Sequence, residues 1–213
     1  SCPAVTDYIR RAVEFWIDEF GIDGLRLDVA YLLPEWFFEF LRRTVRGKRE
    51  DFFLMGEVIH CQNFAKNLTP ERLDSITDYE CYKGLTSALN SDNLFEIEHS
   101  LERLFGRHPW CLYTGKNLFS FADNHDVPRA FTALQDKRKL PALYAILYSM
   151  PGIPCVYYGS ECGAEGDKGN SDYDLRPAFS AVDREKCPAL TALIRRLNAV
   201  RAREGALAYG SYE

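Results

Sequence analysis

Three carboxylates follow short apolar runs in this chain, and their types and spacing suit acid–base chemistry. Asp28 ends the run GLRLD, Glu57 ends the run FFLMGE, and Asp126 follows the run LFSFADNH. Arg26 stands two residues before Asp28, so both side chains point to the same face if this run is a strand. Because burying a charge pair is costly, a pair at a strand end is a candidate for function.

These residue types match the hydrolysis of an acetal bond. A retaining glycosidase uses an ionised carboxylate as nucleophile and a carboxylic acid as proton donor, about 5–5.5 Å apart. Arg26 would keep Asp28 ionised by charge pairing, and the apolar run before Glu57 would favour its protonated form. His125 and Asp126 would hydrogen-bond sugar hydroxyls. The tyrosines expected to stack on sugar rings are Tyr31, Tyr79, Tyr82, Tyr157 and Tyr158.

Each motif taken singly also has a structural interpretation. An arginine two residues before an aspartate at a strand end is typical of a structural ion pair. A structural role would not require three acids at the same end of successive strands. The combination of Asp28, Glu57 and Asp126 therefore favours a catalytic interpretation.

The elements that must position these acids alternate between strand and helix. Apolar residues recur at helical spacing over residues 5–20, 35–45, 79–89, 94–105, 140–150 and 189–203. Short apolar runs predict strands at residues 25–28, 52–55, 73–77, 117–122 and 153–158. A loop rich in Gly, Asp and Ser is predicted over residues 159–180.

This alternation predicts an α/β fold with a parallel sheet. An open doubly wound sheet would require a glycine-rich phosphate turn, and neither G-x-G-x-x-G nor a Walker motif occurs. Acids at several strand ends favour a (β/α)8 TIM barrel, which needs eight strands and about 250 residues. We therefore expect a partial barrel, roughly strands 4 to 8 with their helices, over residues 1–205. Residues 206–213 are expected to begin a truncated β-rich C-terminal domain.

Composition excludes several other classes of function. The net charge of −5, with no block of five basic residues, argues against nucleic-acid binding. No apolar run approaches the about 18 residues needed to span a bilayer, so we expect no membrane partner. Seven scattered cysteines without a C-x-x-C motif argue against a disulfide framework or a zinc site, and indicate a cytoplasmic protein. The chain starts at Ser1 without a methionine, which suggests a piece of a longer protein.

The motifs together resemble those of a known family. GLRLD at residues 24–28, GEV at 56–58 and FADNHD at 121–126 resemble the fourth-, fifth- and seventh-strand motifs of the α-amylase superfamily, glycoside hydrolase family 13. PGIPCVYYG at residues 151–159 resembles the eighth-strand segment of that family. The order and spacing of the motifs agree as well, and the resemblance covers nearly the whole chain.

The resemblance implies a role for each site residue. It makes Asp28 the nucleophile, Glu57 the general acid/base and Asp126 the transition-state stabiliser. The residues that it assigns to the substrate are Arg26, His125, Asp172, Arg176 and Tyr79. The implied substrate is an α-glucan or maltooligosaccharide. No cofactor is required, and calcium is possible through ligands that lie outside this chain.

The resemblance also indicates a branch of the family and leaves alternatives open. EVIH at residues 57–60 and the segment 68–79 look most like neopullulanases, cyclomaltodextrinases and maltogenic amylases. Tyr31, Leu32 and Ile59 depart from the residues that relatives carry on the acceptor side of the site. A hydrolase is the leading interpretation. The alternatives are a transferase or isomerase of the same family, and an inactive half-barrel fragment or carbohydrate-binding remnant that self-associates.

Overall fold

The computed structural model describes residues 2–59, 64–169, 172–178, 180 and 182–212. Two compact units make up the chain, Ser1–Thr77 and Asp78–Glu213. Within the described residues of each unit the strand pairings are parallel, and α-helices alternate with most of the strands along the sequence. The α/β fold predicted from the alternating pattern is therefore confirmed.

The first unit contains two long helices and a three-stranded sheet. Its elements are α1 (Pro3–Phe20), β1 (Gly24–Leu27), α2 (Glu35–Arg46), β2 (Phe53–Gly56) and β3 (Ser75–Ile76). The sheet has the order β1-β2-β3, and its register pairs Leu27 with Gly56 and Gly56 with Ile76. This register brings the ends of β1 and β2 to the same level.

Local sequence signals explain where the helices of this unit begin and end. Pro3 opens α1, where its missing N–H costs nothing, and Gly21 ends it in the left-handed region at φ +60°. Pro34 precedes α2 in extended conformation, which the fixed φ of proline allows without strain. The core of this unit is made of fully buried apolar side chains: Phe38, Leu41, Val45, Phe52, Leu54 and Ile76.

The second unit contains a two-stranded parallel sheet and six helices within its described residues. Its elements are α3 (Tyr79–Ser91), α4 (Phe95–Phe105), β4 (Phe119–Phe121), α5 (Ala130–Ala133), α6 (Leu140–Ser149), β5 (Ile153–Cys155), α7 (Pro188–Arg203) and α8 (Gly205–Tyr209). β4 pairs with β5, with Phe119 opposite Ile153 and Phe121 opposite Cys155. Asp78 caps α3 by accepting a hydrogen bond from the Cys81 amide at 2.9 Å.

The structure differs from the sequence predictions in the length of several strands and in the tail. β4 and β5 are shorter than predicted because the chain turns away directly after Phe121 and Cys155. Residues 205–209 form the short helix α8, although we expected residues 206–213 to begin a β-rich domain. Ala206, Leu207 and Ala208 have high helix propensity, which favours a helix here. Whether a β-rich domain follows stays a prediction.

The part of the chain that the structure describes holds no helix that is both long and apolar enough to cross a membrane.

Candidate active site

One arginine joins two of the predicted catalytic carboxylates in the first unit. Arg26 Nη1 lies 3.0 Å from Asp28 Oδ1, and Arg26 Nη2 lies 3.0 Å from Glu57 Oε1. The Val29 amide donates a hydrogen bond to Glu57 Oε2 at 3.0 Å. Asp28 and Glu57, at the ends of β1 and β2, thus contact the same guanidinium. The contact between Arg26 and Asp28 agrees with the prediction that their side chains point to the same face of the strand.

Main-chain hydrogen bonds fix the two strand ends to each other. The Glu57 amide donates to Leu27 O at 2.8 Å, and the Ala30 amide donates to Glu57 O at 2.9 Å. Val29 lies in the left-handed region at φ +47°, which is strained for a β-branched residue. The turn that it forms directs its own N–H at the Glu57 carboxylate. Backbone strain of this kind is found at functional sites.

The two carboxylates of the first unit differ sharply in their exposure. The side chain of Asp28 is 74% exposed, whereas that of Glu57 is 6% exposed. The burial of Glu57 agrees with its place after an apolar run. Sequence reasoning missed its two partners, Arg26 and the Val29 amide, which contact Glu57 Oε1 and Oε2 at 3.0 Å each. An open carboxylate beside a sequestered one suits a nucleophile next to a proton donor.

The second unit brings three predicted site residues together. Asp126 Oδ1 lies 3.0 Å from Arg176 Nη2, and Asp126 Oδ2 lies 3.0 Å from His125 Nε2. Arg176 Nε also donates to His125 O at 3.2 Å. The Asp126 amide donates to Asn124 Oδ1 at 2.8 Å, which closes a tight turn after β4. Asp126 is therefore held between a cation and an imidazole at the end of a strand.

Two other predicted residues lie differently. Tyr79 is buried, packs against the Phe121 ring at a centroid distance of 5.0 Å, and accepts a hydrogen bond from Asn124 Nδ2 at 3.1 Å. Stacking on a sugar, predicted for Tyr79, does not fit a ring in the core, and its hydroxyl supports Asn124 instead. Asp172 is exposed at the start of the short turn Asp172–Asp174, so Arg176 is the member of the predicted pair that contacts Asp126.

Sequence reasoning missed a buried polar network beside Asp126. Arg129 is fully buried and donates hydrogen bonds to Tyr158 O at 2.6 Å, Leu175 O at 2.9 Å and Ser160 Oγ at 3.2 Å. Ser160 Oγ in turn donates to Asp123 Oδ2 at 2.6 Å. Burial raises the pKa of Asp123 from 3.8 to about 6, although Ser160, the Ala130 amide and Arg129 each oppose the rise. An arginine inside the apolar run PRAFTAL is the signal that could have revealed this network.

No group of three or more His, Cys, Asp or Glu side chains is arranged to hold a metal ion within residues 2–59, 64–169, 172–178, 180 and 182–212.

Comparison with known proteins gives consistent matches. The model of the alpha-amylase family, described as "Alpha amylase, catalytic domain", matches residues 1–203. A cyclomaltodextrinase of Bacillus sp is 30% identical over 176 residues, covering 77% of this chain and 29% of the relative. The intracellular maltogenic amylase of Bacillus subtilis is 27% identical over 211 residues, covering 96% of this chain and 34% of the relative. A solved cyclomaltodextrinase structure superposes with a TM-score of 0.81 at 27% identity, covering 96% of this chain and 34% of that protein.

The comparison shows how much of the relatives' length this chain spans and which branch of the family it resembles. The chain spans about a third of the length of the curated relatives that it matches. Cyclomaltodextrinases and maltogenic amylases are the branch that residues 57–60 and 68–79 resemble, so this prediction is confirmed. His60, which belongs to the first of these segments, lies outside the described residues.

Proposed function

Because this chain belongs to the alpha-amylase family, we propose that it carries catalytic groups of a retaining glycoside hydrolase. The proposed reaction is cleavage of α-glucosidic bonds in maltooligosaccharides, cyclodextrins or starch- and pullulan-type α-glucans. The names of the relatives, cyclomaltodextrinase and maltogenic amylase, support this substrate class. The observation that carries the proposal is the single guanidinium of Arg26 in contact with both Asp28 and Glu57.

The geometry of the first unit supports a two-step mechanism. In the first step Asp28 attacks the anomeric carbon, the glycosidic C–O bond breaks, and Glu57 gives its proton to the leaving oxygen. In the second step water attacks the glycosyl-enzyme, Glu57 takes a proton from that water, and the bond to Asp28 breaks. Exposure lets Asp28 reach a sugar, while its contact with Arg26 at 3.0 Å holds it in one orientation. Glu57 is 6% exposed and lies on the same guanidinium as Asp28, so it is proposed as the group that exchanges the proton with the leaving oxygen and with water.

We assign Asp126 the role of transition-state stabiliser, with His125 and Arg176 as its supports. The assignment rests on the FADNHD motif and on the clamp that the three side chains form. Sugar hydroxyls can take the place of His125 and Arg176 as hydrogen-bond partners of Asp126. This suits a transition-state stabiliser, whose hydrogen bonds to the substrate strengthen as the sugar ring distorts. Asp172 remains a proposed substrate contact, and Tyr79 is proposed to act on the substrate side through Asn124, which donates a hydrogen bond to its hydroxyl.

Several further properties belong to the same proposal. The parallel strands and intervening helices support a partial (β/α)8 barrel, roughly strands 4 to 8, over residues 1–205. The intracellular relative of Bacillus subtilis supports a cytoplasmic location. The proposed partner is an α-glucan, with neither nucleic acid nor membrane. No cofactor is required by the mechanism, and calcium would be bound by ligands outside this chain.

One observation favours a transferase of the same family as the second candidate. Tyr31 and Leu32 are exposed on the turn Ala30–Leu32, directly after Asp28. An apolar surface next to the nucleophile would favour a sugar acceptor over water. Products longer than the substrate, formed from maltotriose, would support transfer, whereas shorter products alone would support hydrolysis.

The third candidate is a fragment that self-associates without activity. Tyr8, Trp16 and Phe20 form an exposed apolar stripe on α1, and such a stripe favours association with another surface. A dimer of this chain in native mass spectrometry would support this candidate, and a monomer would count against it.

The test of the leading proposal is Asp28→Asn in the full-length protein. Removing the nucleophile should lower kcat on maltotriose by about 1000-fold or more, because no other group forms the glycosyl-enzyme. Asp23→Asn is the matched control, since Asp23 lies before β1 and pairs with Arg49. The control should keep normal turnover. Cleavage of maltotriose at the native rate by Asp28→Asn would contradict the assignment of Asp28 as the nucleophile.

A further inference from the structure

Arg129 is the largest fully buried side chain in the described part of the chain. It forms no ion pair within the described residues, and its Nε has no hydrogen-bond partner there. A buried charge without a directly paired carboxylate is costly. The position of Arg129 therefore calls for an explanation other than fold stability.

The guanidinium of Arg129 reaches two stretches of chain that follow β5. Nη1 donates to Tyr158 O and Ser160 Oγ, and Nη2 donates to Leu175 O, 46 residues away in the sequence. Its main-chain amide donates to Gly166 O at 2.9 Å. The side chain thus connects the turn after β5 with Leu175, and the main-chain amide of the same residue contacts Gly166.

The same side chain forms a support under two tyrosines. Arg129 Cζ lies 4.0 Å from the centroid of the Tyr157 ring and 4.8 Å from that of Tyr158. A desolvated guanidinium at these distances is attracted to the ring faces. Tyr157 in turn lies 6.5 Å from the ring of His125, centroid to centroid.

Both neighbours of Asp126 are therefore connected to Arg129. Leu175, whose carbonyl accepts from Arg129, directly precedes Arg176, which clamps Asp126 Oδ1. Tyr157, which lies on Arg129, faces His125, which contacts Asp126 Oδ2. Arg129 itself touches neither Asp126 nor a position that a sugar would occupy, because it is fully buried.

We propose that Arg129 is a positioning residue of the active site, which holds Arg176 and Tyr157 and thereby fixes the geometry of Asp126 and His125. This inference rests on the proposed function of Asp126. A planar guanidinium is needed because its two amino groups serve carbonyls in different loops at once. Lysine would keep the charge but would bring a single ammonium, which cannot span both carbonyls.

The test is Arg129→Lys in the full-length protein, with Arg201→Lys as the matched control. Arg201 lies in the same unit and donates to Tyr148 O at 2.6 Å, Met150 O at 3.2 Å and Gly152 O, all far from Asp126 in the sequence. Displacing Asp126 by about 1 Å should lower kcat on maltotriose about 100-fold, with KM changing much less. Arg201→Lys should lower the melting temperature to a similar degree and leave kcat unchanged.

A double substitution separates positioning from general loosening of the fold. If Arg129 acts through Arg176, then Arg176→Ala should reduce kcat strongly in the native protein and little further in the Arg129→Lys protein. Additive losses would overturn the proposal, as would an Arg129→Lys enzyme with normal kcat. Equal losses of kcat in Arg129→Lys and Arg201→Lys would do the same, because they would indicate a purely structural role.

A measurement without turnover keeps this inference apart from the proposed function. Amide hydrogen exchange over residues 157–160 and 172–178 should be about 10-fold faster in Arg129→Lys and unchanged in Arg201→Lys. An inactive native protein would contradict the proposed function, while the exchange result would still decide whether Arg129 holds Arg176. Unchanged exchange in Arg129→Lys would refute the positioning role whatever the activity.

Discussion

Asp123 should make the stability of this protein depend on pH in a direction opposite to that of an ordinary surface carboxylate. Its carboxyl is buried, and burial raises its pKa from 3.8 to about 6. The folded chain therefore binds the proton more tightly than the unfolded chain. The contribution of Asp123 to the free energy of unfolding is fully present below pH 4 and is lost as the pH rises through about 6.

The size of this effect follows from the shift of the pKa. A rise of about two units corresponds to about 3 kcal/mol of free energy between the protonated and ionised forms. Asp123→Asn keeps the shape of the side chain and an oxygen that can accept from Ser160 and the Ala130 amide. The variant should be more stable than the native chain by up to about 3 kcal/mol at pH 7.5 and equally stable near pH 4.

The assay is urea unfolding, followed by circular dichroism at half-unit steps from pH 4 to pH 7.5. The difference between the two proteins is the informative quantity, because other carboxylates titrate equally in both. Asp136→Asn is the control, since Arg138 lowers the pKa of this exposed carboxyl to about 2 and no change in the difference is expected above pH 4.5. A difference between Asp123→Asn and the native chain that stays constant with pH would refute the reasoning.

Two further predictions concern Arg26 and Gly152. Arg26→Met removes the cation beside the buried Glu57, so the free energy of unfolding in urea should fall by about 2 kcal/mol; an unchanged value would show that this contact is not stabilising. Gly152 has φ +114°, and a Cβ there would lie 2.5 Å from Leu118 O, so Gly152→Ala should destabilise by about 2–3 kcal/mol in thermal unfolding. Gly205→Ala is its control, because nothing lies within 4 Å of an added Cβ there, and equal losses in both would contradict the steric argument.

The sequence is sufficient to predict the elements that carry the site, because their signals are local. Gly21 marks the end of α1, and Pro34 marks the start of α2. The helical spacing of apolar residues over residues 94–105 predicts α4 (Phe95–Phe105) within one residue. The positions of Asp28 and Glu57 at strand ends follow from the same short-range patterns. The strands extend less far than the apolar runs suggest, since apolar residues also line the turns that follow them.

The contacts that the sequence does not reveal are long-range ones to main-chain groups. Arg129 receives its role from the carbonyls of Tyr158 and Leu175, which lie 29 and 46 residues away. A carbonyl is present at every position, so no residue type marks these acceptors in the sequence. The Val29 amide at Glu57 was missed for the same reason. Residues 205–209 form a short helix, and whether a β-rich domain follows it stays a prediction.

The first unit also contains the ion pair Arg42–Asp74, which has a structural role and can be compared with the contacts of Arg26. Arg42 is buried, and its donors serve Arg72 O at 3.0 Å, Phe52 O at 2.9 Å and Asp74 Oδ2 at 2.6 Å. Asp74 Oδ2 also accepts a hydrogen bond from the Leu54 amide at 2.7 Å. The pair Arg42–Asp74 therefore supplies hydrogen-bond partners to main-chain groups and connects α2 with the sheet.

Arg26 differs from Arg42 in what its donors reach. Its side-chain hydrogen bond and ion pairs go to two carboxylates, and one of these, Asp28, is largely open to solvent. The ion pair between Arg26 and the exposed Asp28 contributes little to the stability of the fold, because an exposed carboxylate is well solvated without its partner. The arrangement does hold a reactive oxygen in one orientation while leaving it accessible, which is what a nucleophile requires. The geometry of Arg26 thus favours catalysis over the structural ion pair that its sequence spacing alone also allows.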